Sequence, residues 1–343
     1  MEIMLRPALG PIGAMPGAES DDLLDRAWRD PWTRADCRRV ALGMMPGCGF
    51  VDDATLLDCL KFEVRRGRLT VSAASASSTQ FAPPQPPSKP RQSVLLIDAF
   101  EKGKGGGAFI NITRAEVVAG LRERVKKPEG IDQGSTSLCG PSSLCYNLLL
   151  DDPDTYVRYV IDLYETGAAM LGKTKVKPGE SCRSFKPKGI APVDWIATAS
   201  LRDSENLMFN YDDPSDAFGG ITLPNNLAGW MEGLGYTSVT NETNVWFSKD
   251  PEDFDQAVRL LRQGQRVCIF VNSRIVDGQE KVSHFYSVPD HWIVLHASGG
   301  LAHGTLAATF WTWAQMIPVP KTGAMNADTF CGNFFGYVAG SPP

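Results

Sequence analysis

Asp132-Gln-Gly-Ser-Thr-Ser-Leu-Cys-Gly-Pro-Ser-Ser-Leu-Cys145 is the stretch on which the reading of this chain turns. Its second half begins a helix. Pro141 suits a first helical turn, where a missing N–H costs nothing, and Ser142–Leu150 continues as an apolar helix that stops near Asp151-Asp-Pro153. Cys139 therefore stands at the mouth of a helix, and Gln133 lies six positions upstream with a side-chain amide donor. A thiol attacks only as thiolate, and its pKa falls at a helix N-terminus or beside an imidazolium. Position meets the first condition. For the second, the best-placed of the four histidines is His291, which opens the apolar strand His291-Trp-Ile-Val-Leu-His296. The Gln133 amide and the Cys139 backbone N–H are then suited to hold a tetrahedral oxyanion.

Working outward, Tyr156–Leu171, Val193–Leu201, Asn225–Leu234 and Asp253–Arg262 read as helices. Arg266–Val271, His291–His296, Thr305–Trp313 and Phe334–Val338 read as strands separated by turn residues. Upstream of the cysteine, Ser93–Ile97 and Phe109–Ile112 read as strands, Lys102–Gly107 as a loop and Arg114–Lys126 as a helix. That loop lacks the spacing of a phosphate-binding glycine motif. Helices first and an antiparallel sheet last is an α+β order.

Nearer the N-terminus, Ser20–Trp28 and Asp52–Gly67 carry helical patterns and Leu69–Ser72 reads as a short strand. Ala73–Ser88 then runs through Pro83-Pro-Gln-Pro-Pro87, a composition that cannot bury a core. The expected organisation is a small, mainly helical N-terminal region at 1–72, a linker at 73–92 and one larger domain at 93–343.

The chain has 343 residues, 43% of them hydrophobic and 21% charged, with a formal net charge of -5. No global basic field favours nucleic acid or an anionic membrane. The local basic runs Lys61–Arg68 and Arg122–Lys127 read as solvated helix faces. No apolar run approaches the roughly 18 residues of a spanning helix, and the first residues lack the pattern of a Sec signal, so the chain is expected to be made as a cytosolic chain. The 8 cysteines form no C-x2-C pair and do not cluster with histidine, so neither metal nor other cofactor is expected.

Other residues read as structural. Cys145 belongs inside the helix, and His296 falls on the opposite strand face from His291. His284 and His303 lie in loops, and Asp290 reads as a turn residue. Asp194-Trp195 and Arg202–Asn206 read as a helix cap with local ion pairs, with substrate contact as the alternative. Trp311, Trp313, Phe334 and Phe335 read as sheet core.

Gln133, the Cys139-Gly140-Pro141 run and the late His291 together resemble the papain-like cysteine peptidases, most closely the bacterial domains that process double-glycine leader peptides. In those families the oxyanion glutamine precedes the nucleophile by the same six positions. The resemblance spans roughly residues 130–338 and implies a papain-like fold, a Cys139 nucleophile, a His291 base and an oxyanion-stabilising Gln133. The sequence departs from the pattern at the third member. The strand after the histidine usually carries Asn or Asp, and here Thr309-Phe-Trp-Thr-Trp-Ala-Gln315 has neither. Thr312 or Gln315 takes that role, or the site works as a Cys–His dyad.

The resemblance implies a cysteine hydrolase that cleaves a peptide or amide bond through a thioester. The layout of N-terminal region, Pro-rich spacer and thiol domain resembles bacterial type VI secretion effectors. That implies a secreted antibacterial toxin acting on peptidoglycan or protein, with a cognate immunity protein and a secretion-apparatus or chaperone partner. Two alternatives stand beside it: a deamidase, acyltransferase or transglutaminase using the same thiol, and an inactive domain that binds a partner.

Overall fold

The computed structural model describes residues 92–206, 222–277, 288–301, 304–321 and 323–343, two short strands near the N-terminus, and residues 22, 24–26, 57, 60 and 61. The chain divides into two compact units, Met1–Pro86 and Pro87–Pro343. The division falls inside the Ala/Ser/Pro stretch, whose expected extended character lies outside the described residues.

In the first unit β1 (Ile3–Pro7) pairs antiparallel with β2 (Leu69–Ala73), Ile3 opposite Ala73 and Pro7 opposite Leu69. The sequence pointed to β2 and missed its partner. The unit is thus not helical alone. Lys61 meets Asp25 at 2.5 Å, tying together the two helical patches that the sequence marked.

The second unit begins with α1 (Gln92–Glu101), α2 (Arg114–Lys126), α3 (Cys139–Asp151) and α4 (Pro153–Thr166). A small hairpin, β3 (Ala169–Leu171) and β4 (Thr174–Val176), leads into α5 (Glu180–Ser184). Next come α6 (Pro192–Asp194), a π-helical turn over Trp195–Ala199, and α7 (Ser200–Asn206). The later part holds α8 (Pro224–Gly233), β5 (Thr237–Asn241), α9 (Pro251–Arg262), β6 (Arg266–Val271) and α10 (Arg274–Asp277). It closes with β7 (His291–Ser298), β8 (Thr305–Leu306), β9 (Ala308–Thr312), β10 (Gln315–Val319), β11 (Met325–Asn326), α11 (Ala327–Cys331) and β12 (Phe334–Ser341).

Six of these strands form one antiparallel sheet in the order β10-β9-β7-β6-β12-β5. Strand alternation sends side chains to two cores. Cys268, Phe270, Trp292, Val294 and Trp311 join the core shared with α1 to α4, while Val267, Ile269, Ile293, Leu295 and Phe310 face α9 and α11. With both faces covered, the strands read as nearly continuous apolar runs. The fold is α+β, with helices packed on an antiparallel sheet.

Helix α3 is the pivot. Every residue from Cys139 to Leu149 is buried, which is why its sequence shows no polar face. Tyr146 stacks on Trp311 of β9 at 4.2 Å and 3°, fixing the helix against the sheet. Its N-terminus therefore has a defined position over the start of β7.

Three local expectations are corrected. Ser93–Ile97 is helical: Ser93, Ile97 and Phe100 bury one helix face, and the Asp154 carboxylate accepts the Ser93 N–H at 2.6 Å. Packing on α4 overrides the strand preference of the Val-Leu-Leu-Ile run. Phe109–Ile112 is a turn, closed by the Ile112 N–H on the Phe109 carbonyl, because Thr113 and Glu116 immediately form a capping box for α2. The helix expected to reach Leu171 ends at Thr166, where Gly167 takes φ 76 as a left-handed cap. Residues beyond it turn back as β3.

Candidate functional site

Cys139 is the first residue of α3 and is buried. Burial pushes the thiol up to about 11, the backbone N–H groups of Trp292, Gly140 and Cys139 itself pull against it, and Asp290 adds a smaller upward push. At neutral pH the resting group is a thiol. The lowering expected from the helix start is thus outweighed: in this closed setting desolvation exceeds the donors. The residue after Cys139 must be glycine, since a Cβ on Gly140 would lie 2.4 Å from the Thr222 side chain.

The loop carrying Gln133 hangs on a buried ion pair. Arg124 of α2 donates from Nε and Nη2 to Asp194 at 2.9 and 2.7 Å, and Asp194 also accepts the Asp132 backbone N–H at 3.0 Å. The Asp194 side chain is fully buried. Burial pushes its carboxyl up, while Arg124 and the Asp132 N–H pull down. Of the ion pairs expected to be local here, Arg202–Glu205 is so at 3.6 Å, whereas Asp194 pairs with a residue 70 positions away. Beyond Asp132, Gln133 Nε2 donates to the Thr136 carbonyl at 2.9 Å and Thr136 Oγ1 donates back to the Gln133 carbonyl at 2.6 Å. The amide nitrogen carries two hydrogens, so one remains for a second acceptor. Gly134 turns the loop at φ 58, and a Cβ there would lie 2.3 Å from the Gly189 carbonyl oxygen.

His291 opens β7 opposite Val271 and is buried. Its Nε2 lies 2.7 Å from Thr312 Oγ1, and its ring stacks on Trp313 at 4.5 Å and 17°. A hydroxyl both donates and accepts, so Thr312 engages Nε2 in either tautomer. Burial pulls the imidazole down to about 3, so it rests neutral. Strand parity places His291 with Ile293 and apart from the helix-side Trp292. It is the first residue of the strand, directly before Trp292, whose backbone N–H acts on the Cys139 thiol.

Of the two candidate orienting residues, Thr312 meets the imidazole. Gln315 stands opposite it across the turn and is exposed. Asp290 accepts the Ser273 N–H at 2.6 Å and its hydroxyl at 3.0 Å, as a turn residue does. Trp313, expected in the sheet core, sits instead at the β9–β10 turn against the imidazole. Trp313 and Ala314 take φ 47 and 57, both left-handed. A two-residue hairpin turn asks for such angles, which Asn-Gly supplies without strain and Trp-Ala does not. Each non-glycine residue there costs on the order of 1 to 3 kcal/mol.

The sequence reading missed Thr222, whose carbonyl accepts Trp292 Nε1 at 2.9 Å and whose side chain covers Gly140. No motif marks such a residue. One position further on, Leu223–Asn226 faces Thr243–Val245 across a groove of about 480 Å³. Cys145, Cys182, Cys268 and Cys331 are buried free thiols, each pushed up by burial. His296 falls at a bulge in the β7–β9 pairing and is exposed, and His284 and His303 lie outside the described residues. Among the described residues no three His, Cys, Asp or Glu side chains gather as a metal site, and no helix is long and apolar enough to cross a membrane.

Comparison of the chain with protein-family models, curated proteins and solved structures gives no match.

Proposed function

We propose that the second unit is a papain-like cysteine hydrolase acting on a peptide or amide bond through a thioester. The observation that carries the proposal is the meeting of α3 and β7. The Trp292 backbone N–H acts on the Cys139 thiol, and the residue before Trp292 is a histidine whose Nε2 is held by Thr312. His291 Nδ1 is then the nitrogen assigned to the thiol.

As the sulfur attacks the carbonyl carbon, its proton passes to His291. The carbonyl π bond becomes an oxyanion, held by the Gln133 amide and the Cys139 N–H. Collapse breaks the C–N bond, and the imidazolium returns the proton to the departing amine. Water, deprotonated by His291, then attacks the thioester, releasing a carboxylic acid and restoring the thiol. An amine in place of water gives acyl transfer by the same steps. Two units divided within a Pro-rich stretch support a delivered effector as the setting, with peptidoglycan stem peptides or a target protein as substrate.

The burial that keeps both groups neutral favours a competing reading, a domain that retains the arrangement but binds a partner. Labelling of the native chain with iodoacetamide at pH 7.5, followed by peptide mapping, separates them. The hydrolase reading expects Cys139 to react at least tenfold faster than Cys268 and to lose that advantage in His291→Ala. Equal rates at Cys139 and Cys268 overturn it.

A further inference from the structure

The β9–β10 turn holds two consecutive side chains on one imidazole. Thr312 engages the Nε2 edge at 2.7 Å, and Trp313 covers a face at 4.5 Å. Between them they fix the ring's tilt and its rotation, leaving Nδ1 as the nitrogen the turn does not engage. The backbone departs from what the hairpin alone would favour, because both turn residues are non-glycine at positive φ. A turn selected only to join two strands would carry Asn-Gly. Left-handed strain at the residue that touches the imidazole is what a positioning role leaves behind. The indole also replaces water over the ring, and its π face attracts an imidazolium once one forms.

We infer that Trp313 is the positioning residue for His291, with the strained Trp313-Ala314 turn serving, together with Thr312, in place of an orienting carboxylate or asparagine. The inference rests on the dyad reading above. It adds that ring orientation comes from a stacked face as well as from a hydrogen bond at the edge.

The test replaces the turn by its unstrained equivalent. Trp313→Asn combined with Ala314→Gly keeps a two-residue turn with both φ positive, so the hairpin is retained or strengthened while the stacked ring is lost. Two readouts are followed in the full-length chain: the NMR titration and chemical shifts of the His291 ring protons, and the iodoacetamide rate at Cys139. The double variant is expected to lose the upfield ring-current shift of His291, to raise its titration midpoint by at least one pH unit towards 6.5 as water reaches the ring, and to slow Cys139 labelling at least tenfold. Trp313→Phe, which restores a stacked face, is expected to recover the labelling rate to within about threefold of the unaltered chain.

A double variant with unchanged His291 shifts and midpoint overturns the inference, as does one that loses the stack yet labels at the original rate. If Cys139 in the unaltered chain is no more reactive than Cys268, the dyad reading falls. The NMR titration then still decides whether Trp313 holds the histidine.

Discussion

Asp194→Ala removes one carboxylate and strands three hydrogen-bond donors. Asp194 accepts two guanidinium hydrogen bonds from Arg124, at 2.9 and 2.7 Å, and the Asp132 N–H at 3.0 Å. The variant leaves a cation whose side chain is only 5% exposed, with Glu123 at 3.2 Å as its remaining acidic neighbour. Glu123 is 65% exposed, so its contribution is that of a surface pair, at most about 1 kcal/mol. Removing one partner of a buried pair costs about 3–5 kcal/mol, chiefly because the other charge stays buried. The net expectation is a loss of about 3 kcal/mol or more. Urea unfolding followed by tryptophan fluorescence should show a lower midpoint with an unchanged slope. The Arg124→Leu, Asp194→Leu double variant should recover most of the loss, because no charge is left stranded. A single-variant loss under about 1 kcal/mol, or a double variant no more stable than Asp194→Ala, would refute the reasoning.

Gln133→Ala should leave the fold unchanged while slowing turnover on a cleaved amide by about 10²–10³, with Cys139 labelling nearly unaffected because alkylation forms no oxyanion. An unaltered turnover number would remove Gln133 from the site. Gly140→Ala drives a Cβ to 2.4 Å from Thr222 and should destabilise the chain by about 1–3 kcal/mol in a urea titration. His291, pulled down to about 3, favours the folded state above its unfolded value of 6.5, and that contribution is lost as pH falls towards 3, by about 1.4 kcal/mol per pH unit. Glu205, pushed up by burial to about 7, acts in the opposite sense between 4.5 and 7. The difference in stability between the unaltered chain and His291→Gln should therefore shrink on acidification from pH 6.5, and a pH-independent difference would contradict it.

The helix start at Cys139 was legible because Pro141 and the apolar run after it leave few other conformations. The sheet strands were legible because Arg266–Val271 and His291–Leu295 are buried on both faces and so read as continuous apolar runs. The edge strand β5 escaped notice because Thr237–Asn241 is polar and half-exposed, with nothing periodic in it. Ser93–Ile97 misled for the opposite reason: four apolar residues in a row satisfy either period, and only Asp154 and the α4 surface select the helix. In the candidate site, the six-residue spacing of Gln133 and Cys139 could be read from the sequence. Trp313 was not, because Trp-Ala does not announce a two-residue turn, and Thr222 was not, because its role comes from a carbonyl and a van der Waals contact. The Arg124–Asp194 pair spans 70 residues and leaves no local trace.

Burial sets how the proposed chemistry has to run. A thiol pushed up to about 11 and an imidazole pulled down to about 3 do not rest as an ion pair. The cost falls on separated charge in a dry site, and it is reduced when positive and negative charges appear together and close by. Proton transfer to His291 coupled to attack on the carbonyl does this. The negative charge moves past the sulfur to an oxygen facing the Gln133 amide, while the positive charge forms under the Trp313 ring. On that account the substrate completes the electrostatics, and the resting thiol, though faster than Cys268 towards iodoacetamide, reacts more slowly than a free thiolate would. Reactivity should then rise when an acyl group occupies the space between Gln133 and Cys139. A chain whose Cys139 is fully ionised at neutral pH without any ligand, seen as thiolate absorbance lost in Cys139→Ala, would show that the N–H donors at the helix start outweigh burial after all.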